Sequence, residues 1–254
     1  MTSSLPHDGR TAIVTGAGSG IGQATALRLA AEGATVVACD VNAAGLEDTA
    51  GRAGETRLTT MVADVTSQDD VDRLVAAAGA GLDIVANVAG IFDVFAPLTE
   101  TTDELWDRLL AVNLSGPMRL ARAALPVMLE HGRGDIVNVA SIAGLVGGMG
   151  GPAYTSSKHG LVGLTKNIAT FYAERGIRAN AVCPAGVDTN LQRNAIGGTR
   201  ESWVMERLGR VSLGRPGRMA APDEIAALIS YLCSDIAVNI NGSIIATDGG
   251  ITAI

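Results

Sequence analysis

The chain has 254 residues, of which 47% are hydrophobic, and this is enough for one large domain with a single core. Its net charge of −7 argues against a nucleic-acid partner, because a nucleic-acid surface requires a clustered basic excess. Three cysteines and three histidines without regular spacing predict neither a disulfide framework nor a metal site.

The first predicted element is a β-branched strand, residues 11–15, which leads into the glycine loop Gly16-Ala17-Gly18-Ser19-Gly20-Ile21-Gly22. A helical pattern over residues 23–33 follows and ends on a glycine. Strand, glycine loop and helix are the context in which dinucleotides bind, because glycines let the backbone approach the pyrophosphate at the helix N-terminus. This segment therefore predicts a dinucleotide cofactor.

The second strand, residues 34–39, ends on Asp40, twenty residues after Gly20. An acid at this place accepts hydrogen bonds from the adenosine ribose hydroxyls. It also repels the 2′-phosphate of NADP, and the neighbouring positions Ser19 and Val41 carry no compensating charge. We therefore expect NAD as the cofactor.

Strands and helices continue to alternate to the end of the chain. Further strands are predicted at residues 59–63, 82–87, 135–141, 177–183 and 242–247. Helices are predicted at residues 43–53, 67–78, 101–131 with a bend near Pro117, 153–174 and 222–233, and a long polar loop with short helices fills the interval up to about residue 220. Seven strands with intervening helices predict an α/β fold, a Rossmann-type doubly wound parallel seven-stranded sheet, in a single domain over residues 1–254.

Tyr154 and Lys158 stand four residues apart in the predicted helix 153–174, so their side chains share one helix face. A tyrosine phenol has a reference pKa of about 10 and is a poor acid or base at neutral pH. A positive charge ~4 Å away, at an effective dielectric of ~20, lowers that pKa by about three units, into the range where general acid–base catalysis is efficient. The chain has two lysines among its 19 basic residues, which indicates that this position needs the compact charge of lysine rather than arginine.

These motifs resemble, one after another, those of the short-chain dehydrogenase/reductase family, and the match covers nearly the whole chain. The matching segments are Thr15 to Gly22 for the cofactor loop, Asp64 with Val65 for the adenine site, Asn87-Val88-Ala89-Gly90, the four residues Asn113, Ser141, Tyr154 and Lys158, and Pro184-Ala185-Gly186-Val187-Asp188-Thr189 around the nicotinamide. Two positions depart from the family pattern, which usually has Asn in place of Val88 and Gly in place of Ala185.

The resemblance implies a hydride transfer between nicotinamide and a substrate carbon, with Asn113, Ser141, Tyr154 and Lys158 as the catalytic residues. Tyr154 would donate or take the proton of the substrate oxygen, and Ser141 would hold the same oxygen. Lys158 would lower the pKa of Tyr154 and bind the nicotinamide ribose, and Asn113 would hold a water that links Lys158 to solvent. The expected cofactor-binding residues are Gly16, Ser19, Gly20, Ile21, Asp40, Asp64, Val65, Asn87, Ala89, Gly90, Tyr154, Lys158, Pro184, Val187 and Thr189.

The substrate is less constrained by the sequence. The glycine-rich apolar loop 142–152 and the apolar residues of segment 190–218 predict a wall and a mobile cover for the site, which favour a secondary alcohol or ketone with an apolar body. A 3-oxoacyl-thioester reductase of the acyl carrier protein type is the alternative, and relatives in that role usually prefer NADPH. A second alternative is an inactive, nucleotide-sensing regulator, against which the intact set of four catalytic residues argues.

The expected partners are small molecules and further copies of the chain. The arginines between positions 193 and 218 indicate a solvated loop face, or a surface for an acidic substrate or carrier protein. Helices 101–131 and 153–174 carry apolar residues on more than one side, and in the family this pair forms a four-helix interface, so we expect a homotetramer first and a dimer second. With no apolar stretch of about 18 residues and no signal-peptide pattern, we expect a cytoplasmic protein that does not enter a membrane.

Overall fold

The computed structural model of the chain describes residues 5–93, 95–191, 194–196, 203, 206 and 218–253. These residues form one seven-stranded sheet with the order β3-β2-β1-β4-β5-β6-β7, in which every strand is parallel to its neighbours. The strands are β1 (Thr11–Thr15), β2 (Thr35–Asp40), β3 (Leu58–Val62), β4 (Leu82–Asn87), β5 (Gly134–Val139), β6 (Ile177–Pro184) and β7 (Ile244–Thr247). The predicted doubly wound parallel sheet of the Rossmann type is confirmed.

Helices cover both faces of the sheet. They are α1 (Gly20–Ala31), α2 (Ala43–Ala53), α3 (Gln68–Ala78), α4 (Asp103–Leu110), α5 (Gly116–His131), α6 (Pro152–Tyr172) and α7 (Pro222–Cys233). Residues of α1 and α7 pack with Val14 on one face, whereas residues of α3, α5 and α6 pack with Ile13 on the other. Because both faces are buried, the central strands read as continuous apolar runs rather than as alternating patterns.

The prediction of one helix over residues 101–131 is wrong in its middle. α4 and α5 are joined by a π-helical turn, Ala111–Ser115, in which the Gly116 N–H donates to the Ala111 carbonyl. Pro117 has no N–H and cannot make the regular bond to the carbonyl of Asn113, so the helix widens just before it. The bend expected near Pro117 thus takes the form of a π-turn that contains Asn113.

The other predicted elements agree with the observed bounds within two residues, except that α1 begins three residues earlier than predicted, at Gly20. The predicted cover, residues 190–218, and the arginines between 193 and 218 lie outside the described residues, apart from positions 190–191, 194–196, 203, 206 and 218. Cys39, Cys183 and Cys233 are buried. None of the described helices is long and apolar enough to span a bilayer.

A buried ion network closes the amino end of the sheet. Asp135 on β5 lies 2.6 Å from Nη2 of Arg10, just before β1, and 2.7 Å from Nη2 of Arg178 on β6. Buried charges are tolerated when they are paired in this way. The network ties three strands together at the edge opposite to the carboxyl ends, where ligands of such sheets bind.

Candidate active site

The glycine loop after β1 is folded tightly against the exit of β4. Gly16 has a φ of 71°, a left-handed conformation that favours glycine, and a Cβ atom there would lie 2.8 Å from the backbone nitrogen of Ala89. A Cβ at Gly22 would overlap the Gly16 carbonyl, and one at Gly20 would lie 2.8 Å from Cγ2 of Thr189. Because these glycines carry no side chains, the backbone N–H groups of the loop remain accessible at the N-terminus of α1, as a pyrophosphate site requires.

The start of α1 borders a cavity of about 230 Å³ whose walls include Gly20, Thr189 and the side chain of Arg52. Ser19 is the N-cap of α1, and its side chain makes no capping hydrogen bond. Ile21 packs at the edge of the core beneath the helix. The uncapped helix N-terminus and the adjoining cavity fit the anionic part of a dinucleotide, because the helix dipole favours negative charge there.

Asp40, the last residue of β2, lies directly against the glycine loop. Its Oδ2 accepts a hydrogen bond of 2.9 Å from the Gly18 N–H, and its Oδ1 accepts one of 2.9 Å from the Asn42 N–H. A Cβ at Gly18 would lie 2.9 Å from Cγ of Asp40, so this position also needs glycine. The acid that the sequence places twenty residues after Gly20 is thus next to the loop in space.

Tyr154 and Lys158 are both buried on one face of α6, each with 4% of its surface exposed. The Lys158 Nζ lies 5.6 Å from the centroid of the Tyr154 ring and donates to the Val139 carbonyl at 2.9 Å. Ser141 follows β5, where its Oγ accepts a hydrogen bond of 3.1 Å from the Ala143 N–H, and its side chain is close enough to Tyr154 to lower the pKa of the phenol. These three predicted residues therefore form one cluster.

Burial opposes the downward shift of the Tyr154 pKa that the sequence predicts. It raises the pKa of Tyr154 to about 12, the Ser141 side chain opposes the rise, and the negative charge of Asp93 raises the pKa further. Burial also lowers the pKa of Lys158 to about 8. The sequence-based prediction of the Tyr154 pKa included the attraction between the phenolate and the Lys158 ammonium group. It did not include the cost of removing water from both groups.

Asn113 holds the loop that follows β4. It is fully buried, its Oδ1 accepts a hydrogen bond from the Ile91 N–H, and its Nδ2 donates to the Ile91 carbonyl, both at 2.9 Å. Nδ2 also donates to Oγ of Ser157 at 3.2 Å. A Cβ at Gly90 would lie 3.3 Å from Oδ1 of Asn113 and 3.5 Å from Nζ of Lys158. Asn113 and Lys158 therefore both lie next to Gly90.

The side chain of Asn87 is engaged inside the sheet rather than in the cluster. Its Nδ2 donates to Oδ1 of Asn138 at 2.8 Å, and Nδ2 of Asn138 donates to Oγ1 of Thr165 at 2.9 Å. The exit of β4 is held instead by Thr15, whose hydroxyl accepts a hydrogen bond of 3.0 Å from the Ala89 N–H. Asn87 thus supports the β4 end, whereas the backbone of Ala89 faces the glycine loop.

Asp64 and Val65, expected at the adenine, follow β3. One oxygen of the exposed Asp64 carboxylate accepts hydrogen bonds of 2.8 Å from both the N–H and the hydroxyl of Thr66. Val65 is buried against Gly116, where a Cβ would lie 2.8 Å from Cγ2 of Val65. The π-turn before Gly116 therefore also determines where Val65 lies.

The segment after β6 completes the carboxyl edge. Pro184 pairs with Thr247 of β7, and Val187 forms an isolated bridge with Ala220. Among the described residues only glycines have a positive φ, so Ala185 is accommodated without backbone strain. The departure from the family pattern at this position is therefore conformationally neutral.

Asp93 is the site residue that sequence reasoning missed. It is 1% exposed, and its carboxylate accepts hydrogen bonds from the Gly151 N–H at 2.8 Å and the Tyr154 N–H at 3.2 Å. The neighbouring Phe92 packs edge-to-face on the Tyr154 ring, with centroids 4.6 Å apart. A single aspartate in a loop, 61 residues from its partner, leaves no pattern by which the sequence could have indicated this contact.

Gly150 leaves room for the Tyr154 ring. A Cβ at Gly150 would lie 2.6 Å from Cδ1 of Tyr154, whereas a Cβ at Gly147 would have no atom within 4 Å. We expect Gly150→Ala to displace the phenol and to lower kcat/KM by at least about tenfold, because a misplacement of ~1 Å can cost considerably more. The matched control Gly147→Ala should stay within about twofold of wild type. Equal activities of the two variants would show that the ring position is not critical.

The fold and the cluster define a Rossmann-type α/β protein with a buried serine, tyrosine and lysine set beside a dinucleotide-like loop. A family model described as "Enoyl-(Acyl carrier protein) reductase" matches residues 16–252. The chain is 41% identical to 3beta-hydroxysteroid dehydrogenase 2 of Eggerthella lenta, over 96% of this chain and 95% of that protein. It is 40% identical to D-threitol dehydrogenase of Mycolicibacterium smegmatis, over 96% of this chain and 94% of that protein.

The fold comparison agrees with the sequence comparison. The crystal structure of levodione reductase matches with a TM-score of 0.87 at 34% identity, covering 97% of this chain and 98% of that one. The chain therefore belongs to the short-chain dehydrogenase/reductase family, and it is an oxidoreductase of the class that uses nicotinamide cofactors.

Proposed function

We propose that the protein is an NAD(H)-dependent oxidoreductase that transfers a hydride between nicotinamide and a secondary alcohol or ketone with an apolar body. The observation that carries this proposal is the buried Tyr154, whose ring centroid lies 5.6 Å from the Lys158 Nζ and whose phenolate is favoured by the Ser141 side chain. A phenol beside an ammonium group and a hydroxyl is suited to moving a proton on a substrate oxygen.

The chain's own residues handle the proton and the orientation of the substrate. In alcohol oxidation Tyr154 takes the hydroxyl proton, and in ketone reduction it returns the proton to the oxygen. Ser141 holds that oxygen, and Lys158 keeps a positive charge close to the phenol. Asn113 keeps the loop at Ile91 in place beside Lys158. The chemistry supplied by a bound nicotinamide is the acceptance or donation of the hydride, and its oxidised ring also brings a positive charge to this buried site.

The residues proposed to hold the cofactor follow the carboxyl edge of the sheet. The loop amides from Gly16 to Ile21 suit the pyrophosphate, and Asp40 suits the adenosine ribose. Asp64 and Val65 are proposed for the adenine. The remaining contacts are assigned to Asn87, Ala89, Gly90, Tyr154, Lys158, Pro184, Val187 and Thr189, in agreement with the family resemblance.

The surroundings of Tyr154 support a substrate with an apolar body. The hydrophobic cluster around Tyr154 consists of Phe92, Leu109, Ala143 and Ala153, with Ile91, Phe95, Leu105, Trp106, Met149, Ala195 and Ile196 packed against it. Apolar surroundings of this kind favour an apolar substrate body next to Tyr154 and offer few partners to hydroxyl groups. The hydroxysteroid dehydrogenase among the relatives fits this chemistry better than the threitol dehydrogenase.

One alternative has an observation in its favour. The matching family model is described as a reductase of acyl carrier protein substrates, so acyl thioesters remain the second substrate class. An inactive regulator is disfavoured because Asn113, Ser141, Tyr154 and Lys158 are all present and Lys158 lies beside the Tyr154 ring.

A cofactor-linked panel tests the proposed function. NADH oxidation and NAD reduction are followed with apolar cyclic secondary alcohols, diketones, polyols, and 3-oxoacyl and 2-enoyl thioesters. We expect the highest kcat/KM with an apolar alcohol or ketone. Turnover confined to the thioesters would establish the alternative, and cofactor binding without any turnover would favour the regulator.

The outer faces of α5 and α6 support a homotetramer, with a dimer as the second expectation. Leu125, Leu129, Leu164, Ile168 and Tyr172 line a groove of about 270 Å³ between these helices. Apolar helix faces of this kind are buried when two copies associate. We expect light scattering to give four times the 25.8 kDa chain mass. A 25.8 kDa particle at micromolar concentration would contradict the proposal.

A cytoplasmic location of the protein stays a prediction.

A further inference from the structure

We propose that Asp93 is a positioning residue for Tyr154, because its carboxylate caps the start of α6 from a separate loop and keeps a buried negative charge at the start of the helix that carries the phenol. This inference rests on the proposed role of Tyr154 as the acid–base group. It adds to the four predicted residues one that the family motifs quoted above do not contain.

The start of α6 needs an external cap. Its N-cap residue is Gly151, which has no side chain, and its first residue is Pro152, which has no N–H. The Asp93 carboxylate accepts hydrogen bonds from the N–H groups of Gly151 and Tyr154, at 2.8 and 3.2 Å. An acid at a helix N-terminus also interacts favourably with the helix dipole. Asp93 therefore fixes the backbone of Tyr154 itself.

The charge of Asp93 lies in a poorly solvated place. Asp93 is 1% exposed, and within the described ranges no Lys, Arg or His nitrogen lies within 4.0 Å of its carboxylate. The titratable groups around the Tyr154 phenol are Asp93 on the loop after β4, Lys158 on α6 and Cys183 on β6. Asp93 and the buried, raised-pKa Cys183 both disfavour the phenolate, and Asp93 is the stronger of the two.

The sign of the effect follows from this arrangement. Burial raises the pKa of Asp93, while its two amide hydrogen bonds favour the ionised form. Removing the negative charge stabilises the Tyr154 phenolate and lowers the pKa of Tyr154. Alcohol oxidation requires the phenolate, so the rate rises with pH as Tyr154 ionises. Without the Asp93 charge, this rise should occur at a lower pH.

The test compares Asp93→Asn with the matched control Asp83→Asn. Asp83 is also a buried acid, and its Oδ2 accepts a backbone hydrogen bond from the Thr11 N–H at 3.1 Å, at the opposite end of the sheet. We expect the rise of kcat/KM with pH to move down by at least about half a unit in Asp93→Asn and to stay in place in Asp83→Asn. A lower rate without such a shift would overturn the proposal, because a purely structural cap predicts that result.

A second readout does not depend on turnover. In a Tyr172→Phe/Tyr231→Phe parent, Tyr154 is the only tyrosine left of the three, so the ultraviolet absorbance of the phenolate reports its ionisation alone. Adding Asp93→Asn should lower the pH of that ionisation, and an unchanged ionisation would overturn the proposal. If Asp93→Asn does not fold, Asp93→Ser removes the charge and keeps an acceptor oxygen. Failure of the proposed function would give a different pair of results. Tyr154→Phe would stay active, whereas Asp93→Asn would still lower the pH at which Tyr154 ionises.

Discussion

Replacing Tyr154 with Phe is expected to lower kcat/KM by about 10²–10⁴-fold, the range that a positioned acid–base group contributes. The phenyl ring should keep its edge-to-face contact with Phe92, because that contact does not involve the hydroxyl. The fold should therefore remain close to wild type, and so should the affinity for NAD, because the other proposed cofactor contacts are unchanged. Steady-state kinetics on the best substrate of the panel gives the rate, and cofactor titration by tryptophan fluorescence gives the affinity.

The matched control for this variant is Tyr231→Phe, which removes the hydroxyl of a tyrosine that is 41% exposed on α7. It should leave the rate within about twofold of wild type. A Tyr154→Phe enzyme that kept more than about a tenth of the wild-type rate would show that another group moves the proton.

The fold could be predicted because local signals and topology agree. Short β-branched runs alternate with helical patterns, and parallel strands joined by helices have few allowed arrangements. Ser67 caps α3 with its side chain and Pro222 begins α7, so both helices start within one residue of the predicted positions because of signals that are local in the sequence. Such features depend on neighbouring residues, which a single sequence displays directly.

The features that could not be predicted depend on contacts between distant segments. The Asn113 side chain accepts a hydrogen bond from the backbone N–H of Ile91, 22 residues away, and the cap of α6 is supplied by Asp93. The pKa of Tyr154 depends on how deeply α6 is buried, which helical spacing to Lys158 does not report. The four-residue spacing therefore indicated that Tyr154 and Lys158 lie close together, but not how far both are removed from solvent.

The glycine loop lies between these two cases. Its strand and helix context indicated a dinucleotide site, and the 20-residue distance indicated that Asp40 would be nearby. The individual roles of the glycines follow only from the close approaches, such as that of Gly16 to Ala89. Asp40 has two roles that affect the choice of cofactor, because it accepts a hydrogen bond from the Gly18 N–H of the loop and also carries a negative charge.

NAD is expected to be preferred over NADP by more than tenfold in kcat/KM. A carboxylate at Asp40 and a 2′-phosphate charge ~4 Å apart, at an effective dielectric of ~20, repel by roughly 4 kcal/mol before salt screening, and half of that is more than a factor of ten. The positions that would carry a compensating cation are Ser19 and the exposed Val41. Arg52, on α2, is engaged with Gln23 and lies 3.8 Å from Asp48.

Asp40→Ala separates the repulsion from the structural role. Without the carboxylate the Gly18 N–H loses its acceptor, so NAD binding should weaken, whereas NADP gains no cation and should improve little. The ratio of kcat/KM with NAD to kcat/KM with NADP should therefore fall, mainly because the value with NAD falls. Glu47→Ala, which removes one exposed negative charge from α2, is the control and should leave the preference unchanged. A wild-type kcat/KM with NADP that equals or exceeds the value with NAD would contradict this assignment. Asp40 would then be only a strand-end acceptor for the Gly18 N–H, because a carboxylate in contact with the 2′-phosphate must repel it.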